Sequence, residues 1–351
     1  MTLEHLQERI RDAAGRGSAL RLRGGGSKDF YGNEPRGEIL DTRGYAGIVS
    51  YEPTELVVTA RCGTSLRELE EALSQYHQYL PFEPPHFGEA SLGGCVAAGL
   101  SGPRRASAGA LRDYLLGTKL VDGRGRILSF GGQVMKNVAG YDVSRLLAGS
   151  LGTLGLIAEA SLKVLPRPQS ELSLRLELSQ ERALEAFARW AGEPLPITAT
   201  AWHDGGLGVR LSGASAAVSA AAQKIGGDRV PEGEASAFWS ALREHADPFF
   251  AGPEPLWRIA VPPVAAPFSL PGRQLLEWNG ALRWLKSPAA AQAVREAAKR
   301  AQGHATLFRA ADKSSGAFAP LEPVLMRLHR KLKEAFDPAG IFNPGRLYAE
   351  L

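Results

Sequence analysis

Cysteine is almost missing from this chain. The two present, Cys62 and Cys95, do not form a C-x-x-C pair. Two such residues cannot assemble a cysteine-ligated zinc site or an iron–sulfur cluster. They read as reduced, buried thiols of a cytoplasmic protein. An excess of one charge is missing too. Lys and Arg total 41 against 37 Asp and Glu, a formal net charge of +4 over 351 residues, with no basic block. That balance predicts no nucleic-acid binding. Long apolar runs are lacking. The weakly polar stretch SLGGCVAAGLSG is interrupted by glycine and falls well short of the ~20 residues of a membrane span, so no integral membrane segment is expected. The N-terminal MTLEHLQERIRDAAGRG has acidic residues and no apolar core, unlike a secretory signal.

What is plentiful is glycine, with 40 residues, many of them between positions 24 and 155. Apolar content of 44% and charged content of 22% describe an ordinary globular protein. The length suits two domains. Leu3, Leu6, Ile10 and Ala14 recur at helical spacing, predicting a helix over 3–14 that stops at Gly15 and Gly17. Short strands are expected at 19–23, 38–42, 47–51 and 56–60, then a helix from Ser65 with an S-x-x-E cap. A hairpin is expected across LLGTKLVD-GRG-RILSF, a helix at VSRLLAGS and a long strand at TLGLIAEASLKVLP. This is not the strand–helix alternation of a Rossmann unit. The PRP at 166–168 marks a boundary, after which strands and helices follow an α+β pattern. That pattern predicts an antiparallel sheet with helices on one side. An amphipathic helix and a Pro/Gly-punctuated tail close the chain.

Three segments carry chemistry. The first is RGGGSK at 23–28, between two strands. It fails the Walker spacing and the G-x-G-x-x-G spacing. What remains is a run of backbone amides able to turn toward one anion, or an ordinary turn. The second is HFGEASLGGCVAAGLSGPRR at 86–105, small enough to lie against a flat ring or to start a tightly packed helix. The third spans 134–168, where Gly149, Gly152 and Gly155 recur every third residue. That spacing fits neither a helix face nor a strand face. It marks a slim loop entering a strand.

In this order the segments resemble the PCMH-type FAD-binding domain of the vanillyl-alcohol-oxidase family. The matching residues are Arg23, Gly24, Gly25, Gly26 and Ser27; then Ala90, Ser91, Leu92, Gly93 and Gly94; then Gly149-Ser150-Leu151-Gly152-Thr153-Leu154-Gly155-Leu156-Ile157. FDPAGIFNPGRL at 336–347 matches the family's closing motif. Within the family, KNVAGYDVSRLLAGSLGTLG beside GLSGPRR is most similar to the small FAD-binding subunits of bacterial glycolate oxidase complexes.

The resemblance implies an α+β fold. A PCMH-type FAD-binding domain of two α+β subdomains would span 1–168, an antiparallel-sheet cap domain 169–319, and a C-terminal helix and tail, 320–351, would return to the FAD domain. It implies FAD held by the residues above together with Lys28, Ser101 and Asn343, and oxidation of a 2-hydroxy acid, glycolate, to glyoxylate. It implies as partners a larger paralogous FAD-binding subunit and an iron–sulfur subunit. A cytoplasmic location follows, at the inner face of the membrane through those partners.

The sequence departs from the family in three places. Leu151 stands where larger members carry an acidic residue. No H-x-G-D-G-N segment, which supplies metal ligands and the base in larger members, occurs between 170 and 320, where His203, His245 and His304 are each isolated. No metal is therefore expected. His203 is the candidate base, and Arg104, Arg105 and Arg346 are candidates for the substrate carboxylate. Lys136 and Arg145 flank the third segment. Ser27, Lys28 and Asp29 follow the glycine triplet where a tethering histidine would stand, so FAD is expected to be non-covalent, with His86 the one alternative tether. A second reading stays open: a flavin-binding assembly or electron-relay subunit whose larger partner does the chemistry.

Overall fold

The computed structural model describes residues 1–132 and 142–351; Lys136 lies outside the described residues. The first helix, Leu3–Arg16, buries Leu6, Ile10 and Ala13 on one face. Thr2 caps its start by accepting from the His5 amide, and Gly17 ends it in the left-handed region. That face packs on the strand Leu20–Arg23, which pairs in parallel with Glu38–Asp41. The chain's last segment returns to the same strand. The Leu20 amide donates to the Ile341 carbonyl at 2.7 Å and the Asn343 amide to the Leu20 carbonyl at 2.9 Å.

Beside this lies a five-stranded antiparallel sheet, ordered Ile48–Glu52, Val57–Arg61, Leu156–Lys163, Leu115–Val121, Ile127–Gly131. The central strand, Leu156–Lys163, is buried on both faces up to Ser161 and Leu162. The helix Leu66–Ser74 covers the sheet with Leu66, Leu69 and Leu73, capped by Ser65. The segment 92–98 is a short helix, Leu92–Ala98, capped by the Ser91 hydroxyl. Its small residues let it sit against the loop that leads into the central strand, where the Gly149 amide donates to the Val96 carbonyl and the Leu151 amide to the Ala97 carbonyl.

The chain leaves this region after the bridge at Leu165–Pro166 and enters an eight-stranded antiparallel sheet at Ser170–Glu177. Alternation sorts its two faces. Leu207, Val209 and Leu211 of Gly206–Gly213 pack under the helices Gln180–Ala191 and Ser215–Ile225. The other face carries Gly208 and Arg210. Helix Glu232–Arg243 lies there, burying Trp239 and Leu242 with Tyr31 and Leu151 of the first region. The expectation of helices on one side therefore fails for this helix. Its aromatic face finds its partners between the two sheets, and Gly208 leaves the room: a β-carbon there would stand 2.9 Å from the Phe238 ring.

A buried ionic network joins the two sheets' regions. Arg104 reaches Glu83 at 3.3 Å and Glu171 at 2.7 Å, while Arg210 reaches Glu83 at 2.9 Å. The two arginines hold the Glu83 carboxyl below its usual range against the opposing effect of burial. Arg104, a candidate for substrate carboxylate, is thus committed to structural carboxylates.

Candidate functional site

A cleft runs between the glycine loop, the helix Leu92–Ala98, the loop before the central strand and the C-terminal tail. Arg23, Gly24, Gly94, Ala97, Leu151 and Asn343 line both of its lobes. Gly25, Gly26, Ser27, Lys28 and Ser91 belong to the first lobe, and Gly93, Gly152, Gly155 and Ile157 to the second. Ala90, Leu92, Gly149 and Thr153 do not line it. Ala90 and Leu92 are core residues beneath the cleft, and the Thr153 hydroxyl donates to the Ser150 carbonyl. Ser101 is also elsewhere, its hydroxyl accepting from the Leu111 amide.

The walls are slim because packing requires it. A β-carbon on Gly24 would stand 2.0 Å from Ser91 Oγ, and one on Gly93 2.8 Å from Cys62 Cβ. Gly152 has φ +70°, and its β-carbon would meet Asn343 Nδ2 at 2.8 Å. Leu151 itself adopts φ 50°, an uncommon conformation for a bulky residue. Asn343 holds it there: Nδ2 donates to the Leu151 carbonyl at 2.6 Å, while Oδ1 accepts from the Leu22 amide at 2.9 Å. The cysteines beneath these walls are both buried, and burial pushes each thiol up to about 12, so neither is a nucleophile at neutral pH.

The first lobe is cationic. Arg21 and Arg23 both reach Asp29, and Arg21 Nε is buried without a partner among the described residues. Arg346 donates to the carbonyls of Lys28, Asp29 and Asn33. Burial first, with repulsion from Arg21, draws its pKa down to about 10 against the pull of Asp29. These donors and glycine amides suit an anion such as a pyrophosphate, and the flat glycine–alanine wall of the second lobe suits a ring. The residues present therefore fit FAD. When bound, it supplies a two-electron acceptor. Arg346 serves the loop and this lobe rather than a separate carboxylate site.

The other candidates disperse. His203 lies at a separate cavity of about 340 Å³ under helix Glu232–Arg243, near Asp204 at 3.6 Å and Asp247 at 3.9 Å. His304 begins an outer strand and is exposed. His86 Nε2 faces Glu70 at 3.2 Å. Arg145 pairs with Asp142 at the surface. Arg105 alone reaches the middle of the molecule, its guanidinium 4.4 Å above the Trp278 ring.

The residues that sequence reasoning missed sit where the cap sheet meets the glycine loop. Phe87, Phe308, Trp284 and Phe250 surround His245, and Phe30 packs on Phe87 and Phe308. Arg258 and Glu277 line the same small cavity. Their signal was weak: one arginine, one glutamate and one histidine on three separate elements, each at an unremarkable spacing.

Among the described residues, no helix is long and apolar enough to cross a membrane. Among the described residues, no group of three or more His, Cys, Asp or Glu is placed to hold a metal ion either.

Comparison with known proteins places these features. Residues 1–131 match the family model described as FAD binding domain, and residues 318–347 match that of the FAD linked oxidases, C-terminal domain. The chain is 50% identical over 347 residues to the glycolate oxidase subunit GlcE of Escherichia coli (strain K12), covering 99% of this chain and 97% of that protein. It is 32% identical over 127 residues to the glycolate oxidase subunit GlcD of Bacillus subtilis (strain 168), a match covering 36% of this chain and 27% of that protein. Among solved structures, alkyldihydroxyacetonephosphate synthase superposes with a TM-score of 0.68 at 17% identity, over 97% of this chain and 74% of that one. That likeness concerns the fold.

Proposed function

The chain belongs to the family of the glycolate oxidase subunit GlcE, within the FAD-linked oxidases, and on that premise we propose that it is the FAD-binding subunit of a multi-subunit 2-hydroxy-acid oxidoreductase that converts glycolate to glyoxylate. The observation that carries this reading is the two-lobed cleft. One lobe is cationic and amide-rich, the other flat and slim, and Asn343, Leu151 and Gly24 are shared between them. FAD is held there non-covalently by Arg23, Gly24, Gly25, Gly26, Ser27, Lys28, Ser91, Gly93, Gly94, Gly152, Gly155, Ile157 and Asn343. The region 1–168 carries FAD, 169–319 forms the cap, and 320–351 closes the cleft from the far end of the chain.

The partners are a larger paralogous FAD-binding subunit and an iron–sulfur subunit. This chain's two buried cysteines give its electrons no cluster of their own. Cytoplasmic placement at the inner membrane face follows from those partners.

The test is the purified chain's absorption spectrum. A flavin spectrum released by acid denaturation, and co-purification with two further subunits, one larger and flavin-binding and the other carrying iron, support the reading. A colourless chain that FAD does not reconstitute overturns it. The relay alternative is favoured by the cavity beside His245, which holds only about 20 Å³, roughly one water molecule. A flavin that glycolate leaves oxidised in the isolated chain selects that alternative.

A further inference from the structure

We propose that the cavity beneath helix Glu232–Arg243 is a binding site for a small aliphatic amine in its protonated form, with Asp247 holding the ammonium. The cavity shares no lining residue with the cofactor cleft, and the proposal goes beyond the flavin reading.

The cavity exists because one strand gives it no side chains. Along Gly206–Gly213, Leu207, Val209 and Leu211 pack under the helices on one face, so Gly206 and Gly208 fall on the other. On the neighbouring strands Arg175 pairs with Gly208 and His203 with Gly206. Those two residues flank a bare strip two strand spacings wide, about 10 Å. Ala235, Phe238 and Trp239 of the helix roof it. Trp239 is fixed in place: Nε1 donates to Ser173 Oγ at 2.9 Å, and the Arg210 guanidinium lies 5.0 Å from the ring centroid. The space enclosed is about 340 Å³. That is the small end of ligand pockets, which run from roughly 300 to 1,000 Å³.

The charge at the His203 end selects the ligand. Asp247 lines the cavity with its side chain nine-tenths buried. Oδ1 accepts from the Phe249 amide at 2.9 Å. Oδ2 accepts no hydrogen bond among the described residues. His203 Nε2 stands 3.9 Å from it, too far for one. A buried carboxylate oxygen without a donor is costly.

The other charges at the cavity leave that oxygen alone. Asp204 pairs with Arg273 at 3.2 Å. Arg175 and Glu234 are exposed and opposite in sign, so solvent and salt screen them. The cavity is therefore negative where it is most buried. Among the described residues, His203, Asp204 and Asp247 do not gather as a group that could hold a metal ion. A primary ammonium answers this geometry. It carries three N–H donors and forms a charge-assisted bond with a carboxylate. A short alkyl chain behind it lies along the glycine strip beneath Phe238.

The experiment is isothermal titration calorimetry on the full chain with three probes of one size: n-butylamine, n-butanol and n-butyrate. It is run at about pH 7, where an alkylamine is protonated. Butylamine should bind at least about tenfold tighter than butanol, the difference of one charge-assisted bond, and butyrate should give no heat. Asp247→Asn keeps an acceptor for the Phe249 amide and should erase the preference for the amine over the alcohol. Gly206→Leu fills the strip without changing any charge. A β-carbon there has only the His203 carbonyl oxygen within 4 Å, at 3.6 Å, so the strand accepts it. This variant should weaken butylamine at least about tenfold. Unchanged melting temperature and FAD content show that each variant is folded. No heat from butylamine at millimolar concentration overturns the proposal, as does butanol or butyrate binding as tightly as the amine. Wild-type affinity in Asp247→Asn removes the ammonium partner and overturns it too. Wild-type affinity in Gly206→Leu would mark adventitious binding at the surface and overturn the placement.

Discussion

Gly25 lies so close to Glu89 that a β-carbon on Gly25 would stand 1.5 Å from the Glu89 carbonyl oxygen. The middle glycine of RGGGSK is therefore needed by the protein's own backbone before any ligand is considered. The loop and the segment 89–94 form one wall, and the cationic lobe of the cleft is its outer surface. Gly25→Val pushes the two apart. We expect FAD affinity to fall at least about tenfold, with the cap sheet intact by circular dichroism. Full flavin occupancy, read as flavin absorbance per protein, would refute this arrangement.

Asn343 joins the strand Leu20–Arg23 to Leu151 through its two side-chain hydrogen bonds. Asn343→Ala leaves a buried amide and carbonyl unpaired and frees Leu151 from φ 50°. Stability should drop by about 2–4 kcal/mol, measured by urea unfolding, and FAD should dissociate faster. Asn343→Asp keeps the acceptor and should fall between the two.

Lys333 is buried, and its ammonium donates to the Thr153 and Phe342 carbonyls at 2.8 and 2.7 Å and to Asp337 at 2.7 Å. It pins the C-terminal tail to the loop before the central strand. Lys333→Met strands the Asp337 carboxylate, which is fully buried, at a cost of about 3–5 kcal/mol. Asp337→Asn added to it should recover part of the loss by leaving no buried charge. A single variant as stable as wild type would show that this tie is idle.

Glu277 is raised from 4.5 to about 7 by burial. The unfolded chain releases this proton first, so stability is full below 4.5 and is lost as pH rises through about 7, by at most about 3 kcal/mol. Glu277→Gln should remove that part of the pH dependence and narrow the gap between melting temperatures at about pH 5 and pH 8. An unchanged gap would place the titration elsewhere.

The local elements were legible in the sequence because they follow from short-range physics. Leu6, Ile10 and Ala13 share a helix face by spacing alone. Ser65 and Ser179 cap helices because their hydroxyls accept an amide three residues on. The slim segments at 24–26, 91–94 and 149–157 were visible as glycine patterns, and their joint resemblance to a flavin-binding family gave the cofactor. What the pattern could not say is which atoms each glycine spares. Gly25 spares Glu89 and Gly152 spares Asn343, contacts that span from 64 to 191 positions of chain.

Only the tertiary structure decided which of the cap's polar side chains meet. His203, conspicuous beside Asp204, was set at an outer cavity. Arg346 was spent on the glycine loop. His245, Arg258 and Glu277 come from three elements and share one aromatic enclosure because the antiparallel order of the cap sheet and the placement of helix Glu232–Arg243 bring them to the same point. Sequence determines the slope of each backbone and the sidedness of each strand. Which distant side chains meet in a water-poor space is fixed by how two sheets pack across Glu83, Arg104 and Arg210, and burial there sets their charge states.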